Sequence, residues 1–111
     1  MLNQCVFNGR LTEDPKLFGG DVCHVCFTLA VDGDYEKDGE RAKADFLDFI
    51  AWGPLAEHIN NKMREGDLVS VVSSARVRVY ETRGEKRRKI EFRVEKIDRL
   101  RRAGAAENVN S

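Results

Sequence analysis

The chain has no apolar run near the ~20 residues that a membrane-spanning helix requires, so no membrane partner is expected. Its opening residues, MLNQCVFNGR, lack the charged leader and apolar core of a secretory signal. The expectation is a cytoplasmic, nucleoid-associated protein. Cysteine is scarce: there are three, and an odd number in a reducing compartment points to free thiols rather than a disulfide framework. Cys23-His24-Val25-Cys26 holds a C-x-x-C, but a pair three apart in a strand points to opposite faces, and no second pair of ligands follows on a tight turn. Neither His24 nor His58 has a nucleophile or carboxylate that the sequence sets beside it. Gly19-Gly20 lacks the lysine and hydroxyl of a phosphate-cradling loop. The acids of 32–40 are interspersed with lysine and arginine rather than clustered for a metal. No enzyme, cofactor or metal site is therefore expected.

Net charge is absent too, at +0. That total hides a segregation. Arg76–Arg102 carries 12 Lys/Arg against 5 Asp/Glu, and the remainder carries 7 against 14. A phosphate chain responds to the local field rather than to the sum, so a polyanionic partner stays open. The competing reading of Lys86-Arg87-Arg88-Lys89 is a solvated loop tip.

What is present is an aromatic-rich strand, Phe46–Glu57 (FLDFIAWGPLAE), running through Gly-Pro into a helix. With period two, Phe46, Asp48, Ile50 and Trp52 share one face and Leu47, Phe49 and Ala51 the other. A small barrel accounts for two apolar faces if one fills the interior and the other offers platforms to a flat ligand such as a nucleobase. A strand buried on both faces, as in a sandwich, accounts for them equally well.

Around it the chain reads as strands with one helix. Gln4–Leu11 is a first strand, Thr12–Asp21 a turn or loop, and Val22–Val31 a second strand with Val25, Phe27, Leu29 and Val31 on one face. Asp32–Lys43, nearly devoid of apolar residues except Tyr35, reads as a long mobile hairpin loop of the kind that carries function. After the third strand, Phe46–Trp52, Pro54 can open a helix on which Leu55, Ile59 and Met63 recur at i, i+4 and i+8, closed by Arg64 and Gly66. Leu68–Tyr80 is a long fourth strand able to bend at Ser73-Ser74, Thr82–Arg88 a basic turn, and Ile90–Leu100 a fifth strand. Residues 103–111 are small and polar and are expected to be disordered. The fold expected is all-β with one helix, a five-stranded OB-fold barrel over residues 1–102: three strands, a helix and two strands is the order of that barrel, though not of it alone, and a small barrel explains a strand with two apolar faces.

With these residues in view, the chain resembles the bacterial-type single-stranded DNA-binding proteins. The resemblance is carried by Asn8-Gly9-Arg10-Leu11-Thr12, Asp14-Pro15, Phe27-Thr28-Leu29-Ala30-Val31, Phe46–Glu57, Glu65-Gly66-Asp67-Leu68-Val69, Arg76-Val77-Arg78-Val79-Tyr80 and Gly84 through Glu91, in family order. It implies an OB fold, usually a homotetramer, that binds single-stranded DNA with little sequence preference in replication, recombination or repair. It also implies stacking roles for Phe46, Trp52 and Tyr80, with a looser match at Tyr35. On the residues alone, Arg76 and Arg78 share a face with Tyr80, so cation and ring would converge on one strand of nucleic acid. Arg87 and Arg88 would extend that track, and Arg10 is a further candidate, with surface ion pairing as the competing role for all of these.

Three departures from the family pattern stand out. Asp48 falls on the proposed binding face and would repel phosphate unless an arginine pairs with it. Ser73 replaces a common glycine, so the bend in that strand is open to differ from the family's. The chain closes on Asn108-Val109-Asn110-Ser111 rather than on a linker and an acidic-hydrophobic tip, which suggests either a truncated core or a short variant from a phage or mobile element. No tail-mediated recruitment of replication enzymes is expected. Two other classes stay open. One is an RNA-binding OB module, although a cold-shock domain is shorter than this chain. The other is a primosome-type protein-interaction subunit. Val6 and Asn8 on the first strand suit pairing across a two-fold axis, without separating dimer from tetramer.

Overall fold

A strand this rich in alternating apolar residues must bury one face, and the molecule does so by curling its sheet into a ring. The computed structural model describes residues 1–33 and 43–104. In chain order the elements are β1 (Cys5–Leu11), β2 (Lys16–Phe18), β3 (His24–Val31), β4 (Asp45–Trp52), α1 (Gly53–Lys62), β5 (Leu68–Thr82) and β6 (Glu85–Arg101). The hydrogen-bonded order is β1-β5-β6-β4-β3, and a β1–β3 pairing closes the ring. This is the five-stranded OB-fold barrel with one helix that the element order predicts.

Closure depends on Gly9. A Cβ there would lie 2.8 Å from the Ala30 carbonyl oxygen, so only glycine lets β1 approach β3 next to the Arg10↔Ala30 and Leu11↔Leu29 pairs. β5 bends as the Ser73-Ser74 reading anticipates: its register against β6 shifts between Val72 and Ser73. Ser73 is buried at that bend, and its hydroxyl donates to the Cys5 carbonyl at 3.1 Å, so the serine that replaces glycine is put to use.

Inward positions alternate as the pattern requires. Val25, Phe27 and Leu29 of β3, Phe49 and Ala51 of β4, Val69 and Val71 of β5, and Val94 and Ile97 of β6 form the core, with Ala56, Ile59 and Met63 closing one end. Phe49 stacks on Phe27 at 5.4 Å and meets Phe7 edge-on at 5.7 Å, with Phe92 tilted against it at 5.5 Å. Four of the chain's six phenylalanines thus point inward, and Phe18 and Phe46 are exposed.

Gly53 turns strand into helix at φ +64°, a conformation costly for any side chain, and its N–H donates to the Cys23 carbonyl at 2.9 Å. The helix ends at Met63, and the Arg64 guanidinium donates to the exposed carbonyls of Asn60 and Met63. Asp67, 3% exposed, anchors the following loop: its carboxylate accepts from the Arg64 and Ala103 backbone N–H groups and faces Arg99 at 3.8 Å.

Two expectations require correction. The Thr12–Asp21 loop contains a strand, β2, held by antiparallel pairing to β3; three residues are too few for period-two patterning to register. The basic turn of Thr82–Arg88 is shorter than expected. Arg83 and Gly84 alone, both at positive φ, join β5 to β6, and Lys86–Lys89 pair with Arg78–Glu81 as strand rather than forming a loop tip. The hairpin loop expected over Asp32–Lys43 falls mostly on residues 34–42, and these, Tyr35 and the tail from 105 onward lie outside the described residues.

Candidate nucleic-acid interface

The outer face of β2-β3-β4 is a set of cross-strand rows. Phe18, His24 and Trp52 form the first, Lys16, Cys26 and Ile50 the second, Thr28 and Asp48 the third, and Ala30 and Phe46 the fourth. Phe46 and Trp52 thus stand on one face at opposite ends of β4, about 20 Å apart at the usual rise per residue. Both are open, at 68% and 46% exposure, because the inward positions of β4 are taken by Leu47, Phe49 and Ala51 instead.

Between the rings runs a groove of about 330 Å³, walled by the middle rows on one side and by Arg78, Lys89 and Glu91 of the β5–β6 hairpin on the other. Its floor rests on the stacked Phe27–Phe49 pair, which joins β3 to β4 beneath it. In the hairpin, Arg76 lies opposite Glu91, Arg78 opposite Lys89 and Tyr80 opposite Arg87. These six side chains share the groove face, so Arg76, Arg78, Arg87 and Tyr80 (40% exposed) fall on one track as expected. Arg88 does not join them. It lies opposite Val79, on the reverse face of the hairpin with Val77, because a two-residue turn leaves no freedom for neighbouring residues to share a side. Arg10 stands apart as well: it pairs with Ala30 and Leu68 at the β1 closure, and its guanidinium donates to the Gly66 carbonyl at 3.1 Å.

The face is amphoteric rather than uniformly basic. Asp48 accepts from the Thr28 hydroxyl at 2.6 Å and is paired with Lys89 at 3.6 Å, so the counter-charge comes from a lysine rather than from the arginine expected. Glu91 is shared by Arg78 at 3.7 Å and Arg93 at 3.3 Å, and Arg87 is paired with Glu85 at 2.8 Å. The pairs of Lys89 with Asp48 and of Arg87 with Glu85, exposed on both sides, are worth little, whereas Glu91 is half-buried beneath its two arginines. Arg76 has no ion-pair partner among the described residues. Burial, with Glu91 and Asp48 adding to it, pushes the Cys26 thiol above its usual range, so it lies protonated on the groove floor. Cys23 points the other way, packed against the core with its thiol 3.6 Å from the Gly53 carbonyl.

Phe18, His24, Lys16, Thr28 and Lys89 are on this face, and sequence reasoning misses them as site residues. The loop reading of β2 hides Phe18 and Lys16. For His24 the sequence raises only catalytic or metal roles, and its place in a strand row depends on register.

The comparisons with known proteins bear on this arrangement. The model of the single-strand binding protein family matches residues 2–100. Single-stranded DNA-binding protein 3 of Clostridium acetobutylicum is 38% identical over 90 residues, covering 78% of this chain and 62% of that protein. The single-stranded DNA-binding protein of Clostridium tetani is also 38% identical over 90 residues, covering 78% and 61%. The chain therefore spans about three-fifths of the length of these curated relatives. Among solved structures, the small single-stranded DNA-binding protein from Streptomyces coelicolor shares the fold, with a TM-score of 0.71 at 21% identity over 89% of this chain and 95% of that one. The chain belongs to the single-strand binding protein family.

Proposed function

We propose that this protein binds single-stranded DNA with little sequence preference, stacking bases on Phe46, Trp52 and Tyr80 and meeting the backbone with Arg76, Arg78, Arg87 and Lys89. The observation that carries this reading is that exposed Phe46 and Trp52 share the outer face of β4 beside a groove whose far wall carries Arg78 and Lys89. An aromatic ring accepts any base, since every base has a π-face, and arginine serves phosphate and base alike. Relatives named as single-stranded DNA-binding proteins support the same reading. Replication, recombination or repair is the setting it fits. A homotetramer is the assembly we propose, on the exposed Val6 and on the β1 edge from Cys5 to Gly9, which pairs only with β5 among the described residues.

The test is titration of Trp52 fluorescence with poly-dT at low and high salt. As the only tryptophan, it reports a single position. Strong quenching with affinity that falls as salt rises is expected. Binding seen by another probe with Trp52 unchanged would move the site elsewhere. Absence of binding would favour a protein-interaction role, and preference for an RNA competitor would make the protein an RNA-binding module.

A further inference from the structure

Three rings stand in series where β2, β3 and β4 meet. Phe18 stacks on His24 with centroids 5.0 Å apart and planes 18° from parallel, and His24 lies 4.7 Å from Trp52 at 38°. The row follows from register, since Phe18 pairs with His24 and His24 with Trp52. We infer that Phe18 and His24 form a second nucleobase-binding subsite, continuous with Trp52, that lengthens the stacking surface across β3 onto β2. The inference rests on the single-strand binding reading above and extends it to two residues outside the ring set at Phe46, Trp52 and Tyr80.

The physical case has three parts. Phe18 is 46% exposed on a strand whose three residues are all exposed, so it adds little to the core, while its outward side is open to a further flat ring. His24 is held between two rings by stacking, and its ring nitrogens make no hydrogen bond among the described residues. Those nitrogens are one donor and one acceptor in the neutral ring, which suits a base edge or a phosphate oxygen. Lys16, one row along on the same face, lines the groove in an exposed ion pair with Glu13 at 3.6 Å, a weak pair that leaves the cation within reach of a phosphate beside Phe18. A half-buried imidazole stacked between two rings, with an open ring at one end of the row and a cation one row along, presents a continuous flat surface that a base can extend.

The experiment measures binding of fluorescein-labelled oligo-dT by anisotropy at fixed salt, for the parent chain and for Phe18→Ala, His24→Ala, His24→Phe and Phe46→Ala. Phe18→Ala and His24→Ala are expected to weaken binding about 5- to 150-fold, the range for loss of one stacked base. Phe18→Ala removes no charge and is expected to leave the salt slope unchanged. His24→Phe restores the ring without its nitrogens and is expected to recover the stacking part of the loss but not the part owed to a hydrogen bond. A 5-iodouracil oligonucleotide is expected to cross-link to the peptide containing Phe18, a readout that a purely structural role would not produce. Parent-like affinity in both alanine variants, with Phe46→Ala weakened, would overturn this inference and leave the primary reading standing. Failure of the parent itself to bind oligo-dT would overturn both.

Discussion

At the scale of single residues, the closure of the barrel depends on the absence of a side chain at one position. Gly9 has no room for a methyl group beside the Ala30 carbonyl. Gly9→Ala is expected to destabilise the fold by about 1–3 kcal/mol, since β1 must move away from β3 or strain its backbone. Thermal unfolding checks this, and an unchanged Tm would mean that the closure is looser than the geometry states. Cys26 offers a second handle. Its thiol is raised by burial first and by Glu91 and Asp48 next, so the thiolate is scarcer at any neutral pH than in free cysteine. Alkylation by iodoacetamide is expected to reach half its maximal rate at a pH above that of a free thiol, and to slow further when oligo-dT fills the groove. Mass spectrometry of the Cys26 peptide across a pH series reads both effects. Of the candidate site, Phe46, Trp52 and Tyr80 are legible through the family resemblance, since alternation alone leaves Phe46 and Trp52 equally compatible with a strand buried on both faces, and the strand around Tyr80 is exposed on both. Arg88 is not, because the loop reading of 82–88 leaves its side undetermined, and a two-residue turn then fixes it opposite to Arg87.

At the scale of elements, the β5–β6 hairpin is the part most open to change. Its turn places Arg83 at φ +53°, where a β-carbon is disfavoured, beside Gly84 at +78°. Asn-Gly suits such a turn better than Arg-Gly. Arg83→Asn is expected to stabilise the hairpin by up to about 1 kcal/mol, the scale of left-handed strain in an ordinary residue. Amide-exchange protection at Val79 and Arg87, measured without ligand, is the readout, and equal or lower protection would show that the turn carries no strain. β2 shows the opposite limit. Three exposed residues carry no alternation, and only pairing with β3 makes them a strand. The helix is easier to read, because Ile59 and Met63 repeat at helical spacing and end up buried.

At the scale of the whole molecule, zero net charge is compatible with a basic track because the acids are held elsewhere or paired across the face. If Arg76 meets a phosphate, Arg76→Gln is expected to flatten the salt dependence of oligo-dT binding by about 0.7 in log–log slope, the value for one contact on a single strand. Phe46→Ala is expected to weaken binding at the same slope. A slope unchanged by Arg76→Gln would place that arginine off the DNA path. Native mass spectrometry tests the assembly: four copies are expected, and a monomer at micromolar concentration would refute the tetramer. The sequence by itself determined which long strands exist, which of their faces are apolar and where the helix lies, because alternation and helical spacing are local properties of a chain that must bury one side. Only the tertiary structure decided that the β1–β3 pairing closes the ring, that Asp48 is neutralised by Lys89 from a distant strand, and that Phe18, His24 and Trp52 stand in one row, because cross-strand register is set by which segments meet and not by the order of residues within any of them.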